Sequence, residues 1–453
     1  MFEFGRGLRR LLGAESPPRP FKDGMTGGDA ALLELLDLKM LRAEAKAADI
    51  AAGRVGERDR GRLLLQACVV WREVARRCGD AAALRKAAQS AEAAFADYER
   101  RSKPEGAYRA RVEQALCAML GAELFGDEGL NAAAERMLRA ARHGSGPAAM
   151  IASAGLAILA ARKAVLDGDL VEVRSAARTF NDPIGALEFA GKRDHILRLA
   201  AADARAARAE MLAGAGLRLQ DEALVRSAVG DLEAAASRLD AAYEPLTWSR
   251  IDAARACAHA ALGEVMGDIG MIADAVGGLA DALDGQARDH SPLDWARGQA
   301  TLASALQTLG EAGAAEAAFE KAVTCFDRAA LVLKDAPALT LRAVVAANRA
   351  ACLAKSAELT GDLAVLDAAE AAFKTELAAG SPAKDPTAWA LLQIHLGRLY
   401  ETRLQITGQD KGQRAAAALA FSAALDVFAE EGLRSLADLA AQGLERLRSQ
   451  TVH

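Results

Sequence analysis

The side chains that could do chemistry are scattered along this chain. Six histidines (His143, His195, His259, His290, His395 and His453) and six cysteines (Cys68, Cys78, Cys117, Cys257, Cys325 and Cys352) are the candidates for metal ligation or nucleophilic work. Neither set has the spacing that such work requires. No two cysteines form a C-x-x-C pair, and no H-E-x-x-H is present, so no zinc site assembles locally. The phosphate-binding pattern GxxxxGK[ST] is missing. The glycine turns Gly144-Ser145-Gly146 and Gly214-Ala215-Gly216 lack the preceding strand of a dinucleotide fingerprint. The cysteines read as small buried hydrophobes in a reducing compartment. Carboxylates recur with the helical period and read as solvated faces. The expectation is a protein that is not an enzyme and takes no metal or cofactor. One alternative stays open: the irregular stretch 181–193, carrying Gly185 and Gly191, would be the functional loop of a regulatory subunit or helical enzyme.

The elements that would position these residues follow a period. Trp248, Trp295 and Trp389 lie one and two steps of 47 residues apart. A second series runs Gly79-Asp80, Gly126-Asp127, Gly168-Asp169, Gln220-Asp221, Gly267-Asp268, Ala314-Ala315, Gly361-Asp362 and Gly408-Gln409. Eight residues after each stands an alanine: Ala87, Ala134, Ala176, Ala228, Ala275, Ala322, Ala369 and Ala416. Self-similarity at such a period marks stacked helical repeats. Ala, Leu, Arg and Glu favour helix, aromatics are only 4%, and no alternating β-branched run predicts a strand. Each unit reads as a helical hairpin. In the unit from Trp389, one helix ends at Gly408, and a second carries Ala416, Leu419, Ala420, Ala423 and Val427 at helical spacing. Asp after the Gly is a plausible N-cap. Pro292, Pro337, Pro382 and Pro386 punctuate the links between units. The recurrent alanine answers to sterics: a larger side chain would hold the two axes apart.

This pattern resembles the tetratricopeptide repeat family. First helices pair a small residue with a large one three positions on: Gly397 with Tyr400, Ala303 with Leu306, Ala350 with Leu353. Second helices carry Ala416, Ala322 and Ala369. The unit here is longer than the family's. The resemblance implies an all-α, right-handed α-solenoid of about eight stacked antiparallel hairpins, with a concave face that binds a peptide or protein partner and performs no catalysis. Polar positions of first helices would line that face: Arg255, Gln299, Asn348, Arg349, Gln393 and Arg398. Their basic and amide groups suit the backbone and carboxylates of an extended peptide. The net charge of −5 and the scarcity of aromatics argue against nucleic acid as a partner.

The expected organisation has four parts. Residues 1–12, MFEFGRGLRRLL, place Phe4, Leu8, Leu11 and Leu12 on one helical face and Arg6, Arg9 and Arg10 on the other. Residues 13–29, with Pro17-Pro18, Pro20 and Gly27-Gly28, form a flexible linker. Residues 30–432 form the repeats, and 433–453 a capping helix and tail. No signal peptide or spanning helix is read. The expected location is therefore cytoplasmic, with residues 1–12 as a docking element at a partner or at the inner face of a membrane. If the surface is membrane, the segment carries the protein into the vesicle fraction in liposome flotation, in proportion to anionic lipid. The doubly substituted Leu8→Glu/Leu11→Glu protein stays behind. If wild type and the double variant both stay with the soluble fraction at every lipid composition, the membrane role falls.

Overall fold

The computed structural model describes residues 30–54, 56, 59–167, 169–284, 286–335, 339–379 and 385–449. The docking residues Phe4, Arg6, Leu8, Arg9, Arg10, Leu11 and Leu12 lie outside this set. Among the described residues there are nineteen α-helices and no strand, preceded by a 3₁₀ turn at Ala30–Leu35. The chain begins with α1 (Leu38–Arg54). Eight hairpins follow: α2 (Arg60–Cys78) with α3 (Ala81–Arg100), α4 (Pro104–Phe125) with α5 (Glu128–Ala141), α6 (Gly146–Asp167) with α7 (Leu170–Thr179), and, after α8 (Asn181–Gly191), α9 (His195–Leu219) with α10 (Glu222–Ala236). The second half comprises α11 (Pro245–Met266) with α12 (Ile269–Asp284), α13 (Pro292–Gly313) with α14 (Glu316–Leu333), α15 (Thr340–Thr360) with α16 (Leu363–Ala379), and α17 (Pro386–Thr407) with α18 (Gln413–Glu430). The last helix, α19 (Arg434–Ser449), packs on α18. Consecutive helices pack on one another throughout, which makes the molecule an all-α solenoid of stacked helical hairpins.

The repeat markers are the reversals. Gly79, Gly126, Gly267, Gly361 and Gly408 each close a first helix in the left-handed region, with φ between 62° and 72°. Gln220 and Ala314 hold the same conformation at φ 53° and 47°, without glycine's freedom. The following Asp then caps the second helix: Asp80 accepts from the amides of Ala82 and Ala83, Asp221 from Ala223 and Leu224, and Asp362 from Ala364 and Val365. Pro292 and Pro386 sit just inside the start of α13 and α17, where their missing N–H costs nothing.

The alanines eight residues on are the crossing points. Ala87, Ala134, Ala228, Ala322 and Ala369 have no accessible surface. The last unit departs from this register. Ala416 is only half-buried and Leu419 is 73% exposed, whereas Ala417, Phe421, Ala424 and Phe428 are fully buried. The turn 409–412 delays α18 until Gln413 and so adds one residue to the unit. Phe326, Phe373 and Phe421, at steps of 47 and 48, carry the true register.

Stretch 181–193 also departs from expectation. Its first eleven residues are helical, because Phe180, Ile184 and Leu187 bury themselves and pin α8 to the core. The slip in the period is therefore an added helix rather than a loop. Among the described residues, α6 is long and apolar enough to cross a membrane by length and composition. In the fold it touches α4, α5, α7, α8, α9 and α19, and that many neighbours account for its composition.

The solenoid coils until its turns meet. Helix α2, of the first hairpin, touches α13, of the sixth; α4, of the second, touches α15, of the seventh. The coil thus returns on itself after five hairpins. Ala369→Leu or Ala417→Leu should lower stability by ~1–3 kcal/mol through overpacking, and Ala416→Leu by under about 0.5 kcal/mol. Ala314→Gly should add about 1 kcal/mol by relieving the left-handed alanine. Thermal melts of the four variants check both statements.

Candidate functional site

The first helices of neighbouring hairpins present the same positions one unit apart. Gln307, Ala354 and Glu401 form one row, on α13, α15 and α17. Glu311, Glu358 and Gln405 form a second. Ala351 with Arg398, and Lys355 with Thr402, complete a face with the i, i+3, i+4, i+7 spacing of a helix. Together these residues line a cavity of about 560 Å³, closed by Phe373 and His395 and flanked by Arg446 of α19. The volume lies within the range of roughly 300–1,000 Å³ usual for ligand sites. The alanines keep the middle of the cavity open.

Its charges are mostly spoken for. Lys355 pairs with Glu358 at 3.1 Å, and Arg446 with Glu401 at 3.0 Å. Gln307 donates to Glu311 at 2.8 Å. Arg398 has no hydrogen-bond or ion-pair partner among the described residues. Burial, and then the nearby Arg446 guanidinium, lower its proton affinity. An anionic group placed against Arg398 would offset both effects. His395 stacks on Phe373 with 5.7 Å between ring centroids and 5° between planes. Burial, and then Arg398, bring its pKa down to about 4, so the ring is neutral. Neither Ser nor Cys lines the cavity beside a base, and its carboxylates are held by cations or amides. What the walls offer is recognition: one unpaired cation, amides, a hydroxyl and a flat apolar patch.

Of the six residues expected on the concave face, Arg398 alone lines this cavity. Arg349 is engaged with Asp327 at 2.6 Å, and Arg255 with Asp252 at 2.6 Å. Gln299 is buried, with its side-chain oxygen unpartnered. Asn348 and Gln393 are half-buried.

A ladder of carboxylates went unread in the sequence. Glu123, Glu264, Glu311 and Glu358 each stand three residues before a reversal. Burial and then Glu311 raise the pKa of Glu264; burial and then Glu123 raise that of Glu210. The 47-residue spacing of Glu264, Glu311 and Glu358 was the available signal.

A second cavity, of about 520 Å³, adjoins α8 and is lined by Glu188, Phe189, Lys192, Arg198 and Arg238. Its ionic groups are largely consumed: Glu188 binds Arg205 at 2.6 Å and Arg238 at 3.3 Å, and Arg198 binds Glu244 at 2.6 Å. Stretch 181–193 thus brings no nucleophile and base together at this cavity.

No protein-family model matches the chain, and no curated protein matches it in sequence. Similar solved structures include a Rap protein complexed with competence and sporulation factor (11% identity, 86% of this chain and 98% of that one, TM-score 0.45). A tetratricopeptide repeat protein from Parabacteroides merdae (14% identity, 74% and 98%, TM-score 0.39) and yeast Tom70 (11% identity, 91% and 93%, TM-score 0.25) are others.

The depressed pKa of His395 has a consequence for stability. As pH falls, the unfolded chain takes up a proton at the ordinary value of 6.5 before the native one does. The contribution is therefore fully present above 6.5 and is lost progressively down to about 4. Replacing His395 by Gln should make stability less dependent on pH in that window, as read by denaturant midpoints. In the native protein the His395 ring should titrate near pH 4 by NMR.

Proposed function

We propose that this protein is a non-enzymatic interaction scaffold whose α13–α15–α17 face holds an extended segment of a partner protein. The unpaired Arg398 in a cavity of about 560 Å³ carries the reading. Its guanidinium would take a carboxylate of the segment in charge-assisted hydrogen bonds, while Gln307, Gln405 and Thr402 serve the peptide backbone. His395 and Phe373 supply an apolar flat surface for a side chain. Support comes from the helical-repeat architecture, the open alanine-lined face and the neutralised state of the surrounding charges. Docking through residues 1–12 is a separable part of the proposal and leaves the cavity's role unchanged.

An array of short peptides with acidic, neutral and basic compositions tests the site. Acidic peptides should be retained by wild type. Arg398→Gln should weaken them roughly 10- to 100-fold, the equivalent of one charge-assisted hydrogen-bonded contact. Equal retention by wild type and Arg398→Gln would assign the binding elsewhere.

A further inference from the structure

We infer that the line where the two superhelical turns touch is a latch, along which the solenoid opens as a spring while its hairpins remain folded. The contacts there share one design: the C-terminal end of a first-turn helix, or the strap before α1, meets the N-terminal end of a second-turn helix. The Glu34 carboxylate, 6% exposed, accepts from the amides of Leu246 and Thr247 at 2.9 Å and from the Thr247 hydroxyl. It thereby caps α11 from outside its own hairpin. Arg77, fully buried, holds the strap by donating to the carbonyls of Leu33 and Leu36 at 2.6 Å. Arg76, at the end of α2, forks onto Asp294, at the start of α13, at 2.8 and 3.1 Å. Burial opposes the charge on Asp294, but Arg76, Arg250, the Ser291 hydroxyl and Arg297 together hold the carboxyl below its usual range. Thr340, opening α15, donates to the carbonyl of Glu123 at 2.7 Å. Arg297 meets Glu123 at 2.9 Å, and Leu339 fills the space over Gly79.

Three observations make this line separable from the fold. Most of each unit's core is built from its own hairpin and the adjacent ones; the apolar core crosses between the turns at Leu124 of α4, which is buried in one cluster with Leu339 and residues of α11 to α15. Beside that apolar contact and Leu339 over Gly79, the cross-turn contacts are ionic pairs and hydrogen bonds at helix ends, and such groups regain water when they part, which offsets part of the cost of parting. They also lie at helix ends, so breaking them interrupts no helix. The latch holds α13 and α15 at their N-terminal ends, and the same helices supply Gln307, Glu311, Lys355 and Glu358 to the cavity further along. The latch itself does not depend on what the cavity binds.

The full-length Glu34→Gln/Asp294→Asn protein tests the inference by small-angle scattering, far-ultraviolet circular dichroism and hydrogen exchange. The expected result is a larger radius of gyration at unchanged helicity. Exchange at the amides of Leu246 and Thr247 should rise about tenfold, while the interiors of α11 and α12 stay protected. Thr340→Val, which removes one cross-turn hydrogen bond, should expand the molecule less and in the same direction. Unchanged dimensions in the double variant would overturn the inference. So would loss of helicity, or deprotection spreading through α11 and α12, because a latch must be separable from the units it joins.

Discussion

Six of the eight hairpins reverse within two described residues, and most of this structure follows from that constraint. A left-handed residue ends the first helix, and the next residue starts the second. With the reversal this tight, the angular phase of both helices is set relative to one marker. The residue eight positions on then falls at the axis crossing and must be small. The residues three, six, seven and ten positions before the marker fall on the cavity-lining face. Where the reversal lengthens, as at 409–412, the phase of the second helix shifts by a residue, and the buried face moves from Ala416 to Ala417. The helix survives that shift because it is alanine-rich enough to offer a small side chain at either position.

This explains what was legible in the sequence. Fold and hairpin count follow from the spacing of Gly, Asp and Ala, because backbone conformation and close packing permit few residue types there. The α18 face was misplaced because a run such as Ala415-Ala416-Ala417-Ala418 gives no phase; the large buried Phe421 does. The tight approaches at the ends of first helices were also readable. A Cβ at Gly216, Gly263 or Gly310 would lie 2.5, 2.8 and 2.8 Å from Val225, Ile272 and Phe319, and these glycines recur at steps of 47. Stretch 181–193 read as irregular because Pro183, Gly185 and Gly191 weaken helix locally; burial of Phe180, Ile184 and Leu187 overrides them. The cavity was beyond sequence reach. Which polar side chains stay unpaired depends on neighbours one unit away, and the same residue type gives Arg349 a partner and leaves Arg398 without one.

Pairing also decides what the inner surface can do. A scaffold that binds by charge must keep some charge uncommitted, and Arg398 does so at an exposed position where its guanidinium keeps water. The cavity's other two cations, Lys355 and Arg446, are paired. Arg446 with Glu401, and Lys355 with Glu358, sit close enough to shape the field at Arg398 without neutralising it. The neutral His395 beside it avoids a further like charge, which is the electrostatic reason for its low pKa after burial.

The same economy operates where the turns meet. Helix ends carry unsatisfied amides at one terminus and carbonyls at the other. A coil that returns after five hairpins brings carbonyl ends of the first turn against amide ends of the second. Thr340 supplies the donor for Glu123 and Leu124 carbonyls, and Glu34 supplies the acceptor for the amides of α11. For α11 this contact replaces a local cap, since Glu244 before it makes no side-chain cap; for α4 the Thr340 hydroxyl covers the carbonyls at its C-terminal end. When the coil opens, the start of α11 and the end of α4 each lose that partner, and water must take its place. Closure is thus written into helix ends, with Glu34 standing where a self-capped α11 would have needed Ser, Thr or Asp.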